Sequence, residues 1–590
     1  MGFYDMPLTK LTGTLGVKRA AHLLRRSTFG PSRAQIDEFA LLNVDQAIPK
    51  LFNQNISDPQ LPIDPATGTE WVLSGTTDAN SGGNELQELI RKWWLGQMLI
   101  RNESDSDLDL SYSNREKIVF FMHTYLTTKV STVNNSRSLY FQNQLFRLFA
   151  FDNNSTTVTD EVNFVELTKK ICVDNAMLKF LDGQLNLKNN PNENFARELL
   201  ELYTIGRGLE GALPTATEPG DYILFTEQDV QAAAKVLSGF NSDREFASID
   251  PDTGLPRGIA RGDGTANQHD NGTKQFSDRL GNRTISPDPT LQLNGAATEE
   301  SALEEISQLI EFLYEQRETS KHLCRKLYRF YVYHEITEEL DATVIEDMTD
   351  TFISSGYKLQ SVLEDLFSSQ HFYDAEDAVD DDNFGSLIKS PLDLTVSTLR
   401  FFKVVPPDYE TNLTEFYDFC ENVLGIMNDL GMDFYEPFEV AGYAAYHQFP
   451  IYNRNWISTN YLTRRYDFIQ NLIAVPGTGG MDMLSVDVLE YTRNEFGDTA
   501  ENARILITDF CKYLLPYWEE LSFEDSPTAE ITSERINYFL RAFLFTPMID
   551  DMPEDAWNFR WNNPVDDEVV LNQLNLLLNA IMQSPEFQLM

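Results

Sequence analysis

Apolar residues recur at helical spacing along almost the whole chain, and polar residues fill the opposite faces. This spacing is typical of amphipathic α-helices that pack one face against a core. Strand-like alternation between turn dipeptides is scarce, so the sequence predicts an all-α protein, one large multi-helix domain with little or no sheet. The predicted helices lie near 17–26, 32–42, 83–102, 114–128, 136–150, 160–180, 193–205, 227–238, 300–316, 319–332, 340–355, 359–369, 385–403, 411–429, 456–473, 484–494, 500–515, 532–544 and 567–583.

The most informative of these helices is predicted at 193–205. Asn190 and Asn192 offer side-chain oxygens to the free amides of a first turn, and Pro191 has no amide to lose there. Gly206 suits the left-handed residue that ends a helix.

One arc of this helix is polar, and it carries Glu193, Asn194, Arg197, Glu198 and Glu201. Arg197 lies one turn from both Glu193 and Glu201, so it can pair with either. Such an arc is either a solvated face or a surface turned toward a cleft, where carboxylates bind a cation or move protons. The second interpretation makes Glu193, Arg197 and Glu198 candidate catalytic residues.

The stretch 241–295 interrupts the helical pattern. It is rich in Gly, Asp, Asn, Thr and Pro and has no apolar periodicity, which predicts a long loop insertion. We therefore divide the chain into an N-terminal helical half (1–240), the insertion (241–295), central helices (296–405) and a C-terminal helical part (406–590), with one continuous core.

Charge narrows the range of partners. The chain has 46 basic and 91 acidic residues among 590, a formal net charge of −45. Nucleic acid is excluded as a partner because binding its backbone requires a basic face. No apolar run approaches the roughly 18 residues of a membrane span, so no transmembrane segment is predicted. No signal peptide is recognisable either. We expect a cytoplasmic protein, unless it is exported together with a partner.

Several motifs resemble one bacterial family in the same order along the chain. They are HLLRRSTFGPS (22–32), REKIVFFMHTYLTT (115–128), NENFARELLELYTIG (192–206), TEQDVQAAAKVLSGF (226–240) and HDNGTK (269–274). On these motifs the chain resembles the "domain of unknown function 1800" family.

The resemblance implies a partner and marks one departure. Family members have two histidines where this chain has His123 and Tyr125, so a metal held by that pair would lack one ligand here. Members usually resemble exported proteins, and their genes often neighbour those of sulfatase-like proteins. This implies a protein partner, such as a sulfatase-like protein, or self-assembly.

A metal site is the main catalytic hypothesis. His123, Glu193, His269 and Asp270 supply imidazole and carboxylate groups that suit zinc, manganese or iron, so a divalent metal ion is the candidate cofactor. No HExxH or comparable spacing supports it, and His123 lies in an apolar helix where a core histidine is the commoner explanation.

Two further patterns offer alternatives. Asp105, Asp107, Asp109 and Glu116 have the spacing of a calcium loop, although Leu110 replaces the required glycine. The aromatic segment 434–456 is either a ligand groove, a core seam or a subunit interface.

Two functions from different classes remain. The first is a non-catalytic helical scaffold or binding protein that acts with a partner protein. The alternative is a metal-assisted hydrolase with a His/Glu/Asp cleft. The absence of nucleophile and nucleotide-binding motifs, together with Tyr125, favours the binding protein.

Overall fold

The computed structural model describes residues 8–73, 83–101, 105–152, 162–216, 218–262, 265–375, 383–474, 482–546 and 551–590. Helices dominate these residues, and the strands are two residues long, which confirms the all-α prediction. The α-helices are Gly16–Ser27, Arg33–Ala40, Val44–Leu51, Asn84–Leu99, Ser106–Tyr125, Val130–Val133, Ser136–Ala150, Phe164–Cys172, Asn175–Phe180, Asn194–Glu198, Glu227–Val236, Glu299–Glu315, Arg317–Tyr331, Glu338–Ala342, Val344–Ser354, Leu359–Ser368, Pro391–Phe401, Leu413–Asp429, Ala444–His447, Thr459–Leu472, Val488–Phe496, Ala503–Leu514, Ser533–Phe543, Pro553–Trp561 and Asp567–Met582.

Every predicted helix has a counterpart, but those at 160–180 and 340–355 are divided. The prediction at 340–355 corresponds to Glu338–Ala342 and Val344–Ser354. The prediction at 160–180 corresponds to Phe164–Cys172 and Asn175–Phe180, because the Asp174 side chain accepts from the amide of Met177 and begins a new helix. Residues 102, 160 and 161 of the predictions lie outside the described residues.

The helix predicted at 114–128 begins earlier, at Ser106. Asp105 caps it by accepting from the amide of Leu108. Asp107 and Asp109 are therefore helical, and Asp109 is buried against Arg400. The calcium-loop interpretation is wrong, because a helix cannot wrap these carboxylates around one ion.

Sequence periodicity missed the helices Val44–Leu51 and Pro553–Trp561. The first has a capping box in which Asn43 and Gln46 bond each other's amides. The second has proline at its start, a favourable position. Both signals were present but lie in short segments, where periodicity is weakest.

The insertion contains ordered local structure. The strands Phe240–Asn241 and Ile259–Ala260 pair antiparallel, as do Lys274–Gln275 and Thr284–Ile285. A third antiparallel pair, Ile63–Asp64 with Thr69–Glu70, lies outside the insertion. The Asp243 carboxylate accepts from three amides, those of residues 245, 247 and 248. Such side-chain bonds fix a loop that has no apolar periodicity.

One cluster of buried apolar side chains runs from Leu11 to Phe587. It joins side chains from the N-terminal half, the central helices and the C-terminal part, while the domain boundaries stay a prediction. The four cysteines are free and buried. Within the described ranges, no helix is long and apolar enough to cross a membrane.

Candidate functional site

The predicted helix at 193–205 forms, with a change of winding. It is α-helical over Asn194–Glu198 and then π-helical over Leu199–Tyr203. Asn192 accepts from the amide of Asn194, as expected of a start residue, whereas Asn190 pairs with Leu187 instead. Gly206 has a left-handed φ of +67°, and a Cβ atom there would lie 2.5 Å from the His322 ring. The end of the helix therefore requires glycine.

Arg197 organises the polar face, but with a partner that sequence spacing did not reveal. It donates two hydrogen bonds to the Glu227 carboxylate, at 3.0 and 2.8 Å, and one to Glu193 at 3.4 Å. It also donates to the Tyr222 hydroxyl, which in turn donates to Glu227 at 3.0 Å. The predicted pair with Glu201 is absent; Glu201 binds Arg207 at 2.8 Å. In an α-helix Glu201 would lie one turn from Arg197, on the same face. The wider π turn rotates Glu201 away from that position.

Glu193 and Glu227, from two different helical segments, both bind Arg197. Partial burial, and then the adjoining Glu227 carboxylate, raise the pKa of Glu193. The hydrogen bonds from Arg197 lower the pKa of Glu227 to about 2. Glu227 therefore stays negatively charged, and the neighbouring Glu193 carboxyl group accepts a proton more readily than usual.

Glu198 differs from both, because no arginine or lysine among the described residues is bound to it. Burial, and then the negative charge of Glu201, raise its pKa to about 7. A half-buried carboxyl group that titrates near neutrality is the feature of this helix most typical of proton-transfer sites.

Glu198→Gln is expected to stabilise the protein at pH 8 by about 1–2 kcal/mol. The folded state favours the protonated carboxyl, whereas the unfolded chain ionises near pH 4.5, so wild-type stability falls as pH rises from about 4.5 to about 7. Denaturant unfolding of both proteins between pH 4 and pH 8 measures this. The two curves should converge at pH 4 and separate toward pH 8; parallel curves would contradict the raised pKa.

His123 lies in an aromatic enclosure. Its ring centroid is 4.7 Å from that of Tyr435, 5.2 Å from Trp94 and 6.4 Å from Tyr443. Burial lowers its pKa to about 3, so the ring is neutral. Neither ring nitrogen has a hydrogen-bond partner among the described residues. His123 is a core side chain here, with aromatic rings rather than carboxylates around it.

Helix geometry also separates His123 from Tyr125. Both lie in the regular helix Ser106–Tyr125, where residues two apart project in different directions. Tyr125 accordingly points to other partners and donates to the main-chain oxygen of Tyr203 at 2.7 Å. A histidine at position 125 would not share a metal ion with His123 while this helix is intact, so Tyr125 does not represent the loss of a ligand from such a pair.

His269 belongs to a buried polar network. One ring nitrogen lies 2.9 Å from the Ser238 main-chain oxygen and the other 3.2 Å from the Glu305 carboxylate. Lys274 binds the same Glu305 carboxylate and the main-chain oxygen of Asp270. Both nitrogens of His269 are thus occupied by acceptors, and neither is left free to bind a metal.

The four predicted metal ligands therefore lie in different surroundings. His123 is among aromatic rings, Glu193 is beside Arg197, and His269 faces Glu305, while the Asp270 carboxylate accepts from the amide of Gly272. In the ranges that the structure covers, no group of three or more His, Cys, Asp or Glu side chains could hold a metal ion. The metal site stays a prediction without an assembled ligand set.

A cleft of about 420 Å³ lies beside the aromatic segment singled out in the sequence. Phe449, Tyr452 and Arg454 form one wall, and Glu210 and Arg329 face them. Arg329 binds Glu210 at 2.7 Å and lies 5.0 Å from the centre of the Tyr452 ring. Sequence reasoning identified the aromatic wall but not the charged one, because Glu210 and Arg329 are 119 positions apart.

A smaller pocket adjoins this cleft through Arg329. Tyr125, Lys326, Tyr446 and His447 line it. Burial lowers the pKa of Lys326 to about 8 and that of His447 to about 4. These groups form a partly basic interior beneath an acidic protein surface.

Another cleft, of about 1000 Å³, lies between the loops 55–60 and 405–410. Asp109 lines it, but His123, Glu193, Arg197, Glu198, His269 and Asp270 do not.

The fold and these sites define a large helical protein in which Arg197, His269 and Arg329 form internal hydrogen bonds and ion pairs. The chain belongs to the family described as "Protein of unknown function (DUF1800)", whose family model matches residues 22–589. The resemblance drawn from the sequence motifs is thereby confirmed. No curated protein and no solved structure matches the chain.

Proposed function

We propose that this chain is a helical binding protein that acts in a complex with a partner protein, through the aromatic segment beside the cleft. One observation carries the proposal: Phe438 is 94% exposed and Phe449 is 51% exposed on the same short segment. Val440 and Ile451 add apolar surface, at 39% and 42% exposure. We call these four residues the apolar patch.

Several exposed apolar residues on one short segment make it a candidate interaction site, whereas single exposed apolar residues are ordinary. Phe449 of the apolar patch lines the cleft together with Arg454, an exposed residue to which no carboxylate is bound in the part of the chain that the structure describes. Aromatic side chains and arginine are the residues that contribute most at protein interfaces. The patch therefore suits a protein partner, and the family resemblance makes a sulfatase-like neighbour the first candidate.

Phe438→Asp is expected to weaken binding of a sulfatase-like protein from a neighbouring gene, the partner that the family resemblance implies, by about 2 kcal/mol, roughly 30-fold in Kd. A buried apolar anchor would be replaced by a charge that the interface must desolvate. Isothermal titration calorimetry with the two purified proteins measures the change. Because the Phe438 side chain is almost wholly exposed in this chain alone, its replacement should leave the thermal midpoint unchanged.

Val565→Asp serves as the matched control, because Val565 is 89% exposed and lies outside the apolar patch. It should bind as the wild type does. Equal affinities for the two variants, or no complex with the neighbouring protein, would contradict the proposal. Self-association of the chain alone, lost only in Phe438→Asp, would make the patch a contact between two copies.

A metal-assisted hydrolase is the second candidate, and the raised pKa of Glu198 is the observation in its favour. A general base that titrates near neutrality suits activation of water. Elemental mass spectrometry of protein purified without chelator tests this candidate. Stoichiometric metal that is lost in His269→Ala would support it, whereas metal-free protein would leave Glu198 without the proposed cofactor.

A further inference from the structure

Basic residues are scarce in this chain, yet several of them are buried at one place. The chain has 46 basic residues against 91 acidic ones. Arg25, Arg26, Lys117, Lys389 and Arg465 nevertheless surround one another next to a small cavity. Four are less than 5% exposed, and Arg25 is half-buried. We call these five residues the basic cluster.

The three arginines of the cluster bind main-chain oxygens and one side-chain amide. Arg25 donates to the main-chain oxygens of residues 513 and 515, and Arg26 donates to those of residues 332 and 383. Arg26 also donates to an oxygen of Met590, a residue that lines the cavity as well. Arg465 donates to the main-chain oxygen of Lys389 at 2.7 Å and to the Gln588 side chain at 3.2 Å. These contacts satisfy the hydrogen bonds of the guanidinium groups.

The carboxylate nearest to the cluster is already engaged. Asp393 binds the Lys117 ammonium and accepts from the Ser390 hydroxyl at 2.7 Å. Lys117 and Asp393 therefore form a neutral pair. The remaining four cations lack an Asp or Glu carboxylate within ion-pair distance among the described residues.

Lys389 has no conventional partner at all. Its ammonium lies 3.8 Å from the centre of the Phe587 ring, and no described oxygen accepts a hydrogen bond from it. The residue is 4% exposed. Burial, followed by the charges of Arg25 and Arg465, lowers its pKa well below the ordinary value. A buried ammonium without a partner loses its proton more readily, whereas an anion beside it would favour the charged form.

The cavity beside Lys389 has room for a small ion. It measures about 30 Å³ and is lined by Arg25, Thr28, Lys389, Asp393 and Phe587 among others. A cavity of that size holds a water molecule or a monatomic ion and excludes a sugar or nucleotide. We propose that it binds a small inorganic anion of chloride size, held by the Lys389 ammonium and the Arg25 guanidinium.

A middle cavity lies between this site and the cleft. It shares Arg329, His334 and Tyr452 with the cleft, and shares Asp393 and Met590 with the cavity beside Lys389. The site does not depend on the partner protein proposed above.

The anion site predicts a specific salt effect. The thermal midpoint of the full chain should be higher by about 2 °C in potassium chloride than in potassium gluconate at equal ionic strength, because only the smaller anion fits. Crystals soaked in bromide should show an anomalous peak beside Lys389. Lys389→Met should lose both effects, since methionine keeps the length of the side chain but not its charge.

Lys10→Met is the control, because the Lys10 side chain is 58% exposed and pairs with Asp45 at the surface. It should retain the chloride effect and the bromide peak. Bromide peaks confined to the surface would overturn the proposal, and this measurement does not require that Lys389→Met folds. A chloride effect that Lys389→Met retains would overturn it as well.

Discussion

Arg147→Met is expected to lower the free energy of unfolding by about 3–5 kcal/mol, because it leaves the buried Glu116 carboxylate without its main partner. Arg147 donates to both oxygens of Glu116, at 2.8 and 2.6 Å, and neither side chain is more than 2% exposed. The second arginine nearby, Arg115, is 3.5 Å from Glu116 and also faces Asp58, so it replaces only part of the lost interaction.

The loss should depend on pH in a defined direction. Burial alone would raise the pKa of Glu116, but the charge and hydrogen bonds of Arg147 and then Arg115 hold it below its ordinary value of 4.5. A lowered carboxyl pKa stabilises the folded state above pH 4.5 and loses that effect as pH falls through the folded value. The difference between wild type and Arg147→Met should therefore shrink in acid, as urea unfolding at pH 7 and pH 4 would show.

Arg464→Met is the control for this prediction. Arg464 and Asp467 form a surface pair at 3.6 Å, with about half of each side chain exposed. Such pairs contribute about 0–1 kcal/mol, so this variant should unfold almost as the wild type does. Equal losses for the two variants would show that Glu116 is not held as a buried ion pair.

The helical fold could be predicted from sequence because its signals are local. A capping box of Thr226 and Asp229 begins the helix Glu227–Val236, with the Thr226 amide 2.7 Å from the Asp229 carboxylate. Gly206 takes the predicted left-handed conformation. Each of these features depends on residues a few positions apart, which the sequence shows directly.

The partners of charged residues could not be predicted in the same way. Arg197 was expected to bind Glu193 or Glu201, but its strongest contact is with Glu227, 30 positions away. Arg25 and Lys389, which line one cavity, come from the N-terminal half and from the central helices. Periodicity assigns a residue to a face of a helix but does not show which distant element covers that face.

The family motifs marked segments that form structural contacts, but they did not show what chemistry these residues carry out. The motif at 269–274 holds both His269 and Lys274, and the structure joins them through Glu305, which lies outside that motif. A histidine beside an aspartate suggested a metal ligand pair. In the fold, His269 faces the carboxylate of Glu305 on the helix Glu299–Glu315, while the main-chain oxygen of Asp270 accepts from Lys274.

Lys274→Met tests whether this network is structural, and it should lower the free energy of unfolding by about 3–5 kcal/mol. The Lys274 and Glu305 side chains are both fully buried, so removal of the ammonium leaves the carboxylate beside His269 alone in a medium that solvates it poorly. Chemical denaturation at pH 7 measures the loss. Lys188→Met provides the control. Lys188 is exposed, so its replacement should change stability little.

The double variant Lys274→Met/Glu305→Leu separates the two roles that this network can have. If the groups serve only the fold, removal of both charges should recover much of the stability that the single variant loses, because apolar side chains of similar size replace a buried pair at little cost. If His269 and Glu305 instead serve a reaction, the double variant would not recover the activity. A single variant as stable as Lys188→Met would contradict the buried ion pair itself.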